Sequence, residues 1–222
     1  MAEDSARRPA PGRIGLFGGS FNPPHLAHLA LARLAREQLG LHELRWLPAG
    51  QPWQRPAAEL APAADRLAMV ELLIRDEPAF VLDNRECRRG GPSFSIDTVN
   101  EIAAQAAARP RDDGQDAELV LIIGQDQCQR LASWHRVEDL LPRVTLAVAA
   151  REGHAVQVPP ALAHLPRRLV VLPLPRQDIS ATEVRARLAA GQPVTTLVGA
   201  VVARYIEQQA LYRGSHRVAP GH

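Results

Sequence analysis

Lysine is entirely absent from this sequence of 222 residues, so all 26 residues counted as Lys or Arg are arginines. A chain without lysine forms no lysine Schiff base, which excludes pyridoxal-phosphate enzymes and Schiff-base aldolases. It also lacks the lysine on which a Walker-A phosphate loop depends. With 24 Asp and Glu residues the formal net charge is only +2. So small a basic excess argues against a general nucleic-acid-binding protein.

Cysteine, aromatic residues and long apolar runs are also scarce. The two cysteines, Cys87 and Cys128, form no CxxC pair and are too few for a disulfide framework. Aromatic residues make up 4% of the chain, so aliphatic side chains must fill the core. The chain has neither an apolar run of about 18 residues nor a signal-peptide core at its start. We therefore expect a cytoplasmic protein with no membrane partner.

Short apolar runs alternate with helical patterns along the chain. The run at residues 13–17 predicts a first buried strand, and the run at residues 117–123 is apolar throughout. Continuous apolar runs are typical of parallel strands covered on both faces. The alternation predicts an α/β fold, a Rossmann-like open parallel sheet with helices on both faces. No linker divides the chain, so we expect one domain over residues 13–213, with flexible tails at residues 1–12 and 214–222.

The remaining elements follow from the same patterns and from the turn residues between them. Ser95 is a good N-cap for a helix that continues to about residue 108. Further strands are predicted at residues 44–47, 80–82, 144–149 and 169–172. Further helices are predicted at residues 26–40, 63–74, 182–190 and 198–208, with a long proline-containing loop at residues 51–62.

The segment after the first strand, GGSFNPPHLAH at residues 18–28, is the first candidate site. In open parallel sheets, ligands bind beyond the carboxyl ends of the strands. Gly18 and Gly19 allow backbone amides to approach a ligand closely. His25 and His28 lie within one turn at the start of a helix, where exposed N–H groups favour phosphate. The alternative is a tight turn followed by two surface histidines.

A second candidate site is ISATEVR at residues 179–185. Ser180 or Thr182 can cap the following helix, and Glu183 can complete a capping box. A second interpretation is that the hydroxyls and first-turn amides hold a polyphosphate. Arg185, one turn along, would then add a charge-assisted contact.

These segments resemble the nucleotidyltransferase superfamily that has an HxGH-type motif after the first strand and an ISSTxxR-type motif near the end. More closely, the chain resembles the bacterial nicotinate-nucleotide adenylyltransferases. The resemblance spans residues 13–213 in family order. It is carried by GGSFNPPHLAH (18–28), PSFSIDT (92–98), IGQD (123–126), SW (133–134), ISATEVR (179–185), YI (205–206) and LYR (211–213).

The resemblance implies a reaction and its substrates. ATP and nicotinate mononucleotide would give nicotinate adenine dinucleotide and pyrophosphate, with Mg²⁺ bound through the ATP phosphates. The mononucleotide phosphate would attack the α-phosphorus in line, without a covalent enzyme intermediate. Such chemistry needs positioning and charge neutralisation more than a nucleophile. The enzyme would have small-molecule partners, no nucleic-acid partner, no protein metal ligands, and either a monomeric or a homodimeric state.

The resemblance also implies roles for single residues. His25, His28 and Arg185 would be catalytic, with His28 helping to stabilise the transition state. Asp126 would accept hydrogen bonds from the ribose, although it could instead cap a helix. The residues implied to bind ATP are Gly18, Gly19, Ser20, Phe21, His25, His28, Gly124, Asp126, Ile179, Ser180, Thr182 and Arg185.

A second set of residues would bind nicotinate mononucleotide. Ser95 would bind the nicotinate carboxylate, and Trp134 would stack on the pyridine ring unless it only packs against the core. Arg151 would lie near the nucleotide, although a solvated surface arginine is an equal alternative. The full implied set is Asn22, Arg55, Ser95, Trp134, His135 and Arg151.

The chain departs from the family pattern at several positions. Ser20, Asn22 and Ala27 stand where Thr, Asp and Gly are usual, and Ala181 replaces the second serine. Asn22 lacks a charge, so a role that needs a carboxylate there is in doubt. Arg55 occupies the loop that commonly carries histidine and lysine. Two alternatives remain: a sister adenylyltransferase acting on nicotinamide mononucleotide or phosphopantetheine, and a nucleotide-binding regulator without turnover.

Overall fold

The computed structural model describes residues 12–53, 59–108, 117–151, 155–165, 167–175 and 178–213. Apart from Gly12, the two tails predicted at the termini lie outside the described residues. The same is true of Arg55 in the long loop.

The strands form one parallel sheet in the order β3-β2-β1-β4-β5-β6. This order reverses between β1 and β4, as it does in Rossmann-like sheets, and the predicted fold class is confirmed. The strands are β1 (Arg13–Gly19), β2 (Glu43–Pro48), β3 (Phe80–Leu82), β4 (Glu118–Gly124), β5 (Thr145–Arg151) and β6 (Arg168–Leu174).

Helices connect these strands and continue after the last of them. They are α1 (Leu26–Leu39), α2 (Ala63–Ile74), α3 (Arg85–Arg88), α4 (Ser95–Ala107), α5 (Gln125–Gln129), α6 (Val137–Leu140), α7 (Ala181–Ala189), α8 (Thr195–Val198) and α9 (Ala200–Gln208). Within the described ranges, none of these helices has the length and apolar character needed to span a bilayer.

Successive residues of β1 point to opposite faces of the sheet and enter different cores. Phe17 packs in a cluster that includes Leu29 and Ala32 of α1. Leu16 packs in a second cluster that includes Ile96 and Val99 of α4. The alternation follows from the two-residue period of a strand, and it confirms that helices cover both faces. A third cluster joins α2 to α7, α8 and α9.

Two predicted helix boundaries were wrong. Phe94, not Ser95, is the extended N-cap residue of α4, and Ser95 is its first helical residue. The predicted helix at residues 198–208 is divided at Gly199, whose φ of +84° separates α8 from α9. Ser180 does cap α7 by accepting from the Glu183 N–H at 3.1 Å. The capping box is not completed, because the Glu183 carboxylate accepts from Arg187 at 2.7 Å instead.

Candidate functional site

The sheet opens at the carboxyl ends of β1 and β4. Direct pairing between these strands ends at Phe17 and Ile122. Each strand nevertheless continues, β1 beside β2 as far as Gly19 and β4 beside β5 as far as Gly124. The two strand ends therefore diverge at the point where the strand order reverses, which is where open α/β sheets bind ligands.

Two of the glycines at this opening are not required by packing within the described part of the chain. A Cβ added to Gly124 would have no atom within 4 Å, and one added to Gly18 would approach only the Leu47 carbonyl oxygen, at 4.0 Å. The absent side chains leave backbone amides accessible on both sides of the opening. Both residues were predicted to bind ATP, and this space is suited to the close approach of a ligand.

His25 and His28 lie at the start of α1, beside the opening. Their rings stack with centroids 3.6 Å apart, and the His28 ring also packs edge-on against Phe21 at 5.2 Å. The His25 backbone N–H donates to Nδ1 of His28 at 3.1 Å. A neutral imidazole that accepts at Nδ1 carries its proton on Nε2. The ring of His28 is thus fixed as a neutral N–H donor by its own helix turn.

Burial lowers the pKa of both imidazoles. It lowers the pKa of His25 to about 4, and it lowers the pKa of His28 well below its usual value, with the nearby His25 imidazole adding to the effect. Both rings are therefore neutral at pH 7. A neutral donor retains its N–H for a phosphate oxygen without the cost of burying an unpaired charge.

The depressed pKa of His25 predicts that stability depends on pH. Between pH 6.5 and about 4 the unfolded chain binds a proton at this residue and the folded chain does not. The contribution is fully present above pH 6.5 and is lost as pH falls, by roughly 3 kcal/mol from His25 alone. Urea unfolding of wild type and His25→Asn should show a smaller slope of unfolding free energy against pH in the variant. Identical slopes would contradict the burial of a neutral His25.

The second motif contacts the loop that carries the first. Arg185 of α7 donates from Nη1 to the backbone oxygen of Asn22 at 2.8 Å, and its Nη2 lies 3.4 Å from the Thr182 hydroxyl. The structure therefore brings the HxxH turn and the ISATEVR segment together although 163 residues separate Asn22 from Arg185. Ser180 is exposed, and Ile179 and Arg185 are half-buried. Their predicted contacts with ATP phosphates remain predictions that this arrangement permits.

The two residues predicted to bind adenosine, Gly124 and Asp126, lie at the end of β4. Gly124 is the N-cap of α5, and Asp126 is the second residue of that helix. Asp126 is therefore not a helix cap, contrary to the alternative drawn from the sequence. Its side chain is exposed, which is consistent with the predicted contact to the ribose.

The segments predicted to hold the mononucleotide are also adjacent in space. The rings of Phe94 and His135 stack with centroids 4.2 Å apart, which brings the Ser95 segment next to Trp134. Trp134 is half-buried against the core cluster that contains Ile96, and its buried Nε1–H has no hydrogen-bond partner among the described residues. The predicted packing of Trp134 is confirmed, and its stacking on a pyridine ring remains a prediction. The side chain of Arg151 lies outside the described residues.

Sequence reasoning missed two residues that organise the site. Ser93 accepts from the backbone N–H of Gly50 at 2.9 Å and so ties the Ser95 segment to the end of β2. Arg66 is 1% exposed and donates to the carbonyl oxygens of Ser20 at 2.9 Å and Ala49 at 2.7 Å, joining the ends of β1 and β2. The sequence did contain a signal for Arg66. It lies on the same face of α2 as the buried residues Met69 and Val70, where a charged side chain is unexpected.

Comparison with known proteins agrees with this geometry. The profile of the cytidylyltransferase-like family matches residues 16–187. A probable nicotinate-nucleotide adenylyltransferase of Methylibium petroleiphilum is 46% identical over 204 residues, which cover 90% of this chain and 92% of the relative. The protein with the same description from Bordetella petrii is 43% identical over 205 residues, covering 90% and 99%.

A solved structure gives the same fold at lower identity. The nicotinic acid mononucleotide adenylyltransferase of Plasmodium falciparum, complexed with NaAD, superposes with a TM-score of 0.71 at 19% identity. The match covers 90% of this chain and 97% of that one. Together with the sequence identity over nine-tenths of the chain, these similarities establish that it belongs to the cytidylyltransferase-like family and, within it, to the nicotinate-nucleotide adenylyltransferases.

Proposed function

We propose that this protein transfers the adenylyl group of ATP to nicotinate mononucleotide, releasing pyrophosphate, as a step in NAD biosynthesis. The observation that carries the proposal is the contact between Arg185 and the backbone oxygen of Asn22. It joins the two motifs that we propose to bind phosphate, just beyond the carboxyl end of β1. The relatives described as nicotinate-nucleotide adenylyltransferases support the choice of acceptor.

The arrangement suits an in-line displacement at the α-phosphorus. His25 and His28 would donate neutral hydrogen bonds to phosphate oxygens, and Arg185 would supply a permanent positive charge near the leaving pyrophosphate. The hydroxyls of Ser180 and Thr182 would complete the β- and γ-phosphate contacts. No covalent intermediate is needed, because positioning and charge stabilisation account for this class of reaction.

Mg²⁺ fits this site as a companion of ATP. Among the described residues, no group of three or more His, Cys, Asp or Glu side chains is placed to hold a metal ion. Apart from the Asp126 carboxylate, which we propose binds the ribose, the groups proposed to contact the phosphates are N–H, O–H and guanidinium donors, which suit phosphate oxygens better than a bare cation. When bound to the nucleotide, Mg²⁺ would neutralise phosphate charge during transfer.

The acceptor would lie between the Ser93–Ser95 segment and the Trp134–His135 segment. Ser95, the first residue of α4, would present its hydroxyl and backbone N–H to the nicotinate carboxylate. An N-terminal helix position favours an anion over a neutral amide. We place the reaction in the cytoplasm, and the structure is compatible with either a monomer or a homodimer.

An acceptor panel tests this function. Pyrophosphate release should be measured with MgATP and, in turn, nicotinate mononucleotide, nicotinamide mononucleotide and phosphopantetheine. We expect the highest kcat/KM with nicotinate mononucleotide, because only this acceptor offers a ring carboxylate to the α4 amino terminus. Preference for the amide form or for phosphopantetheine would identify a sister adenylyltransferase. ATP binding without turnover of any acceptor would indicate a regulator.

A further inference from the structure

Asn22 is buried in the loop that links β1 to α1, and both polar atoms of its side chain form hydrogen bonds within the protein. Its exposed fraction is 1%. Nδ2 donates to the Glu59 carbonyl oxygen at 2.8 Å, and Oδ1 accepts from the Ala61 N–H at 3.0 Å and from the Tyr212 hydroxyl at 2.8 Å. A backbone N–H can only donate and a carbonyl oxygen can only accept, so these partners fix the orientation of the amide.

The same residue is joined to the second phosphate motif through its backbone. The Asn22 carbonyl oxygen accepts from Arg185 at 2.8 Å. Asn22 therefore connects the first loop with α7 on one side and with the segment after α9 on the other. Tyr212 follows Asn22 by 190 residues, so the end of the described chain holds the loop at its beginning.

The backbone around these contacts is held in an unfavourable conformation. Phe21, directly before Asn22, has a φ of +44°, and Tyr212 has a φ of +61°. A left-handed residue after a helix is common, which accounts for Ala210, with a φ of +51°, but not for Tyr212. Such conformations cost on the order of 1 kcal/mol each and persist where surrounding contacts determine them. Burial also raises the pKa of the Tyr212 hydroxyl, so it stays protonated and donates.

We infer that Tyr212 is a positioning residue, whose hydroxyl acts through Asn22 to hold the phosphate-binding loop in register with Arg185. The inference rests on the proposed function, since the loop and Arg185 matter as phosphate ligands. Loss of the hydroxyl leaves Oδ1 of Asn22 with one of its two donors and releases the strained segment at Tyr212. The loop then shifts relative to α7. Misplacement by about 1 Å of groups that position a reacting phosphate costs up to roughly 100-fold in rate.

The Nδ2–H donor of Asn22 is needed to hold this loop, so a side chain of the same size without that donor should not replace it. In an Asn22→Asp variant, an oxygen would replace Nδ2 and face the Glu59 carbonyl oxygen across the present separation of 2.8 Å. Two acceptors at that distance repel each other unless the carboxyl takes up a proton. Aspartate, the residue usual in the related motif, is therefore expected to impair this protein.

The test compares two tyrosine-to-phenylalanine variants. Tyr212→Phe removes the bond to Asn22, and Tyr205→Phe removes an equally short bond, from the Tyr205 hydroxyl to Asp65 at 2.8 Å. We expect kcat to fall roughly 10-fold in Tyr212→Phe and to stay near wild type in Tyr205→Phe. Equal losses of kcat in the two variants, or full kcat in Tyr212→Phe, would overturn the inference.

A double-mutant cycle tests whether Tyr212 acts through Asn22. In an Asn22→Ala background, the further change Tyr212→Phe should leave kcat unchanged, since the shared bond is already lost. Multiplicative effects of the two changes would contradict a shared mechanism.

MgATP binding separates this inference from the proposed function. Calorimetry should show weaker MgATP binding by Tyr212→Phe than by Tyr205→Phe, whichever acceptor the wild type prefers. If the acceptor panel contradicts the proposed reaction, this difference in Kd still supports the role of Tyr212. Equal Kd values in the two variants would contradict it.

Discussion

His28→Ala is expected to lower kcat by roughly 100- to 1,000-fold, the effect of removing one well-placed donor to a developing charge. The neutral ring is held by the His25 N–H on one edge and by the rings of His25 and Phe21, so its remaining N–H is fixed in direction before substrate binds. The loss should appear in kcat and in kcat/KM for ATP together, because the interaction strengthens in the transition state. Steady-state pyrophosphate release measures both.

Two further variants separate this role from a structural one. His42→Ala removes an exposed histidine directly before β2, at the opposite end of the sheet, and should retain the wild-type rate. His28→Gln restores an N–H donor of similar reach and should recover part of the rate lost in His28→Ala. The assignment is wrong if His28→Ala is folded, as judged by Tm, and turns over at the full rate.

The sheet could be predicted because its signals are local. Apolar runs such as residues 119–123 bury both faces of a central strand, and they end at glycine or proline, where the backbone can turn. Errors arose where one residue decides a boundary. Phe94 takes the extended conformation that was assigned to Ser95, and Gly199 divides a pattern that reads as one helix.

The candidate site was predicted only in part. Its motifs are short segments that a sequence shows directly, whereas the side chains that hold these segments in place come from distant parts of the chain. The resemblance and the chemistry of helix amino termini identified both motifs that are predicted to bind phosphate. Asn22 was interpreted as a contact to the mononucleotide, which remains untested, while the structure shows its amide bonded to Glu59, Ala61 and Tyr212. Bonds from side chains to distant backbone groups leave no periodic trace in a sequence. Arg66 was detectable only as a charge on a buried helix face.

Arg185→Met is the second change with a large expected effect. The guanidinium is half-buried and is held by the Asn22 carbonyl oxygen at 2.8 Å, a contact that leaves several of its N–H donors available for phosphate. Methionine keeps most of the length and removes the charge. We expect kcat/KM for ATP to fall by roughly 100- to 1,000-fold, since a charge-assisted contact to the leaving pyrophosphate is lost. The chain has no lysine that could replace this charge.

Arg187→Met is the matched control on the same helix. Its guanidinium pairs with Glu183 at 2.7 Å on the surface, where such a pair contributes only about 0.3–0.5 kcal/mol to stability. This variant should retain the wild-type rate, and Arg185→Lys should fall between wild type and Arg185→Met, because lysine keeps the charge without the planar fork. The loss in Arg185→Met should be the same at every pH where the protein is folded, because arginine does not titrate. Equal rates for Arg185→Met and Arg187→Met would show that the site neutralises pyrophosphate without Arg185.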